Sequence, residues 1–98
     1  MTTPPIQISV VIPCYNQEQY IAEALDSVLA QTFQEYEIIV VNDGSVDSSQ
    51  RIIEQYVAKH PEKITLINQQ NQGVISTRNN GIAAARGTYI YQIGRAHV

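Results

Sequence analysis

Four consecutive β-branched residues, Ile38-Ile39-Val40-Val41, run without a polar position and stop abruptly at Asn42-Asp43-Gly44-Ser45. A run of that kind predicts a strand buried on both faces, as in a parallel sheet covered by helices, and such a strand does not belong at an edge. Residues 8–13 (Ile-Ser-Val-Val-Ile-Pro) predict another strand, expected to stop at Pro13 because proline cannot donate to a ladder. Residues 64–68 predict a third, and residues 88–91 open a fourth. Between these, Ile21, Ala24, Leu25, Val28 and Leu29 form one helical stripe, with Asn16 placed to cap its start and Gln31-Thr32 ending the pattern. Phe33 and Tyr36 belong to a short connection. Asp47 followed three residues later by Gln50 resembles a capping box, and Ile52, Ile53, Tyr56 and Val57 give the helix behind it an apolar face that His60-Pro61 closes. A polar loop to Gly73 leads into a third helix over 74–86, stopped by Gly87.

The order β-α-β-α-β-α-β predicts an α/β fold: a three-layer, Rossmann-like half domain with a mostly parallel sheet and right-handed crossovers. Ligands of such sheets bind beyond the carboxyl ends of the strands, which singles out the acidic turn at Asp43. The first turn, Pro13-Cys14-Tyr15-Asn16, carries no glycine, and none occurs before Gly44, so neither a dinucleotide fingerprint nor a P-loop can sit there and an NAD-type domain is disfavoured. An aromatic and a carboxylate on adjacent turns suit a nucleoside instead, with Tyr15 lying against the base and Asp43 accepting a ring N–H. Blander roles stand beside these. Asp43 is also placed to bond its own turn, Tyr15 to fill core, and Arg78 to pair with a carboxylate such as Asp43. Gly73 and Gly81 read as backbone devices, and Asn79 and Asn80 as mid-helix residues in need of polar partners.

Composition narrows the picture. Ninety-eight residues with 44% hydrophobic and 15% charged positions describe one small globular unit. A net charge of −3 and the absence of any basic run argue against nucleic acid as a partner. The single cysteine, Cys14, excludes an internal disulfide and reads as a packing residue. Residues 1–7 carry two prolines and no pattern, and are expected to be a disordered lead-in. With no basic, apolar leader and no apolar stretch approaching a membrane span, the expectation is a cytoplasmic chain without a membrane segment.

Several separated stretches, in order, resemble the amino-terminal half of family 2 glycosyltransferases of the GT-A fold. They are residues 8–16, Ala24-Leu25-Asp26-Ser27-Val28-Leu29-Ala30-Gln31-Thr32, Val41-Asn42-Asp43-Gly44-Ser45, and Asn71-Gln72-Gly73 through Thr77-Arg78-Asn79-Asn80-Gly81 to residues 85–90. The resemblance implies transfer of a sugar from a nucleotide donor, usually a UDP-sugar, to a hydroxyl of a polysaccharide or other acceptor. It implies a nucleotide-binding set of Pro13, Tyr15, Asn16, Asp43, Gly44, Ser45 and Arg78, with Pro13 and Tyr15 along base and ribose, Asp43 on the uracil, and Arg78 near the base or diphosphate. It also leaves the inner face of the membrane open as the location of a full-length parent.

The resemblance breaks in the fourth strand, where the family's acidic D-x-D turn would bring Mg²⁺ or Mn²⁺ to the diphosphate. Gln92-Ile93-Gly94-Arg95-Ala96-His97-Val98 has no carboxylate, and a lone His97 is not a substitute site for a hard cation. No cofactor and no catalytic residue are therefore expected in this segment, the metal belonging to the full-length parent. The closing Ile-Gly-Arg-Ala-His-Val matches the translation of a common short-read sequencing adapter, so residues 93–98 are expected to be non-native and residues 8–92 to be the nucleotide-sugar-binding part of a truncated domain. A segment without the family's general base is expected not to turn over. The alternative is a non-catalytic module that binds a nucleotide or presents a surface to a protein.

Overall fold

The computed structural model describes residues 6–93. Its elements follow the expected alternation: β1 (Ile8–Cys14), α1 (Ile21–Leu29), β2 (Tyr36–Asp43), α2 (Ser49–Lys59), β3 (Ile64–Gln69), α3 (Val74–Ala84) and β4 (Tyr89–Gln92). All neighbours pair in parallel in the order β3-β2-β1-β4, so the Ile/Val strand β2 is interior, as its composition requires. Every residue of β2 is buried. Alternation then sorts the side chains. Val10, Ile12, Ile38 and Val40 face α1 and α2 with Leu25, Val28, Ile53 and Ile64, while Val11, Ile39 and Val41 face α3. Each fully buried Ile or Val contributes roughly 1.5–3 kcal/mol, so these two layers supply most of the cohesion.

Some local expectations are corrected. Pro13 does not end β1 but lies inside it, opposite Val41. Gln7 and Val11 accept from the Tyr89 and Ile93 N–H groups, which directs the odd-numbered backbone of β1 toward β4. The bond that Pro13 cannot donate therefore falls on the β4 side, where the described pairing has already ended at Val11–Gln92. Asn16 does not cap α1. The helix begins four residues later behind Tyr20, without a side-chain cap, because Gln17 carbonyl bonds to the Tyr20 and Ile21 N–H groups insert a turn first. Asp47 does accept the Ser49 N–H at 2.9 Å, but Gln50 reaches Glu54 instead of turning back, so no capping box closes. Tyr36 opens β2 rather than sitting in the connection, and α3 ends at Ala84, two residues early.

The base of the sheet holds a group that periodicity conceals. Glu37, inside the apolar strand, is 2% exposed. Its Oε2 accepts the Ser9 hydroxyl at 2.6 Å and the Arg86 N–H at 2.7 Å, and its Oε1 accepts Arg86 Nε and Nη2 at 3.1 and 2.9 Å. The Ser9 hydroxyl in turn accepts the Gly87 N–H. Burial disfavours ionisation of Glu37, but the Ser9 and Arg86 donors outweigh it and hold the carboxyl below its ordinary range. This network fastens the α3–β4 turn under the sheet and leaves the opposite end free to carry a site.

Of the expected lead-in, residues 1–5 lie outside the described residues, while Gln7 bonds to Glu35 and Tyr89. Of the expected non-native tail, Ile93 bonds to Val11, and residues 94–98, with His97, lie outside the described residues.

Candidate nucleotide site

Three loops leave the carboxyl end of the sheet: from β1 to α1, from β2 to α2, and from β3 to α3. Together they enclose a cavity of about 320 Å³ lined by Pro13, Tyr15, Asp43, Asn71, Val74 and Arg78, among others. Tyr15 is 47% exposed, so it is not core filler, and it shares this cavity with Asp43. A larger cavity of about 610 Å³ lies beside β4 on the α1 face, but no charged side chain lines it. Polar recognition argues for the smaller one.

Asp43 is 5% exposed and spends most of its acceptor capacity on architecture. Its Oδ1 accepts Gln69 Nε2 at 2.9 Å and the Gln72 N–H at 2.8 Å, and its Oδ2 accepts the Gly73 N–H at 3.1 Å. Burial raises the cost of its charge, but these donors prevail and keep the carboxyl below its usual range, so it is an anion at neutral pH. Instead of bonding only its own turn, it organises the next loop. Two oxygens offer about four acceptor positions and three are used, which leaves one at Oδ2. Gln69 is itself aimed by Asn80, whose Nδ2 donates to Gln69 Oε1 at 2.6 Å, which gives Asn80 its partner inside α3.

Gly44 follows with φ +73°, and a Cβ there would come within 2.8 Å of the Asn71 backbone nitrogen, so only glycine lets the loops close this tightly. Gly81 does the same for α3, since its missing Cβ would stand 2.4 Å from Val11 Cγ1. Arg78 projects from α3 on the cavity side, exposed, and among the described residues makes neither an ion pair nor a hydrogen bond, so it is not the partner of Asp43. A free guanidinium in that position can bind paired phosphate oxygens.

The cavity thus gathers Pro13, Tyr15, Asp43 and Arg78, whereas Asn16, Gly44 and Ser45 are not among its lining residues. Gln69, Asn71, Thr77 and Val74 were missed because their polar or apolar character has no period and only the loop crossing brings them together. Cys14 also reaches the lining, but it is buried, and burial pushes its thiol up. Among the described residues no group of three or more His, Cys, Asp and Glu side chains could hold a metal ion, so the residues present do not fit a hard divalent cation.

A parallel α/β sheet with a cavity beyond its strand ends places the molecule among Rossmann-like domains of the GT-A kind. Within that class the chain belongs to glycosyl transferase family 2, whose family model matches residues 9–93. It is 52% identical over 83 residues to EpsJ of Bacillus subtilis, named an uncharacterized glycosyltransferase, covering 85% of this chain and 24% of that protein. Among solved structures it resembles residues 1–349 of S. aureus TarS in complex with UDP, with TM-score 0.82 and 31% identity over 91% of this chain and 27% of that one. It also resembles the mannosyltransferase PcManGT of Pyrobaculum calidifontis in complex with GDP-Man and Mn²⁺, with TM-score 0.75 and 26% identity over 86% of this chain and 25% of that one. The chain therefore spans about a quarter of the length of these relatives. No described helix is long and apolar enough to cross a membrane.

Proposed function

We propose that the cavity is the nucleoside half of a donor site for a nucleotide-sugar, preferentially a UDP-sugar. The observation that carries this reading is that Tyr15, the Asp43 carboxylate and an unpaired Arg78 line a single cavity. In it Tyr15 and Pro13 flank the base and ribose, the remaining acceptor of Asp43 takes a ring N–H, and Arg78 meets the diphosphate. Asn16, Gly44 and Ser45 frame these contacts. The greater likeness to the UDP-bound structure (TM-score 0.82) than to the GDP-Man-bound one (TM-score 0.75) is what favours uridine. Sugar transfer to a hydroxyl of a polysaccharide or other glycan acceptor is assigned to a polypeptide carrying this segment within the relatives' full length. There Mg²⁺ or Mn²⁺ would neutralise the diphosphate, as the Mn²⁺ in the PcManGT complex suggests. Such an enzyme is proposed to work in the cytoplasm, or at the inner face of the membrane, and this segment alone to bind without turnover.

Isothermal calorimetry with UDP, uridine and NAD on the purified chain tests the assignment. UDP should bind, NAD should give no heat, and Tyr15→Ala should weaken UDP by roughly 1–3 kcal/mol, the worth of one aromatic–base stack. UDP binding that ignores Tyr15→Ala would sink the reading.

A further inference from the structure

Three successive N–H groups follow Tyr15, and each is held by a side chain of the β2–α2 loop or of the first residue of α2. Asn16 N–H donates to Ser45 Oγ at 2.9 Å, Gln17 N–H to Ser49 Oγ at 2.9 Å, and Glu18 N–H to Asp47 Oδ2 at 3.2 Å. Two bonds return in the other direction. Val46 N–H donates to Asn16 Oδ1 at 2.9 Å, and Ser48 N–H to Glu18 Oε1 at 2.7 Å. Asn16 achieves its part with φ +53°, the one positive φ outside glycine among the described residues. Asparagine tolerates that region better than most residues, and here its short amide also reaches across the gap. Neither α1 nor α2 has a side-chain cap bond, so these five bonds serve the join between the two segments.

We propose that Asn16 is a positioning residue for the donor site: it locks the loop bearing Tyr15 to the loop bearing Asp43, so the two sides of the cavity are held at a fixed separation before any ligand arrives. Asp43 extends the lock to the third loop through the Gln72 and Gly73 N–H groups, and Asn71 Nδ2 adds a bond to the Asp43 carbonyl. All three walls are thereby one rigid unit, and a nucleotide binding there orders little that is not already ordered. Asn16 touches no ligand in this scheme and acts through the backbone it anchors. The inference rests on the donor-site reading above.

Two kinds of substitution separate its parts. Asn16→Ala removes the acceptor for Val46 and strains the positive φ; Asn16→Asp keeps both an acceptor and tolerance of that φ; Asn16→Gly keeps only the φ. Ser45→Ala removes the other half of the reciprocal pair without touching backbone conformation, and serves should Asn16→Ala not fold. Amide hydrogen exchange and UDP calorimetry are read on each variant. The expected result is faster exchange at Gln17, Glu18, Val46 and Ser48 in Asn16→Ala, with Ile38–Val41 as protected as before. UDP affinity should fall roughly tenfold, as when the competent arrangement drops to about a tenth of the population. Asn16→Asp should restore both readouts, Asn16→Gly should be intermediate, and Ser45→Ala should loosen the same amides. Unchanged exchange at Val46 and Ser48, or unchanged UDP affinity despite loosened loops, overturns the proposal. A chain that binds no UDP at all overturns the donor-site reading and this one together, whereas binding that survives every Asn16 variant overturns this one alone.

Discussion

Replacing Arg86 with Met tests whether the charge hidden in β2 is a structural fastener. Met keeps an apolar stem but removes the Nε and Nη2 donors to Glu37 Oε1, leaving the Ser9 hydroxyl and the residue-86 N–H on Oε2. Hydrogen bonds to a charged group contribute about 1.5–3 kcal/mol each, and removing one member of a buried pair costs about 3–5 kcal/mol. The Arg86 side chain is 65% exposed, however, so solvent already screens the pair and can replace part of it. The expected loss near neutral pH is therefore about 2 kcal/mol, or about 8–16 °C in Tm for a domain of this size. The pH dependence carries a sign. Because the folded carboxyl of Glu37 titrates below its ordinary value, its stabilisation is complete above about 4.3, the value of an unfolded Glu, and is lost as pH falls through the folded value. Without the guanidinium, burial meets fewer opposing donors and the folded value rises. The deficit of Arg86→Met should then be greatest near neutrality and should narrow as pH falls from the variant's folded value toward the lower folded value of the parent chain. Urea titrations near neutrality and at about pH 4 measure it. An equal deficit at both, or a loss under about 0.5 kcal/mol, would refute the fastener.

Three further outcomes are expected. Gly81→Ala should destabilise by about 1–3 kcal/mol despite the better helix propensity of alanine, because its methyl meets Val11 at 2.4 Å; pairing it with Val11→Ala in a denaturation cycle should recover part of the loss. Arg78→Ala should weaken UDP by about 1.5–3 kcal/mol and leave uridine nearly unaffected, as calorimetry with both ligands would show. Cys14, buried and with its thiol pushed up by desolvation, should resist alkylation at neutral pH in the native chain and react fully in denaturant, as mass spectrometry can follow.

The strand–helix alternation was legible because burial on two faces leaves so plain a mark on Ile38 to Val41, and because Ile21, Leu25 and Val28 keep helical spacing. The glycine-free first turn was equally informative, and the fold confirms that Tyr15 and Asp43 meet in one cavity. What the residues could not announce was contact across loops. Asn16 has the chemistry of a cap and was read as one, yet its partner is Val46, thirty positions away, and no local rule selects a distant N–H over a near one. Glu37 was passed over for a related reason. A carboxylate beside Ile38 looks like a strand's solvent-facing start until Arg86, forty-nine residues on, arrives to neutralise it. Asp43 held both of its possible meanings at once, since the same carboxylate that faces the cavity also builds the neighbouring loop.

A proline one residue from the end of an interior strand has one more effect. Position 13 offers a chain alongside it on the β4 side a carbonyl but no N–H, so past Val11 that edge can bond in one direction only. The strand end next to Tyr15 is thus made a weaker pairing edge by covalent structure alone. An Ala at that position would restore the donor and with it a complete pairing edge on the β4 side.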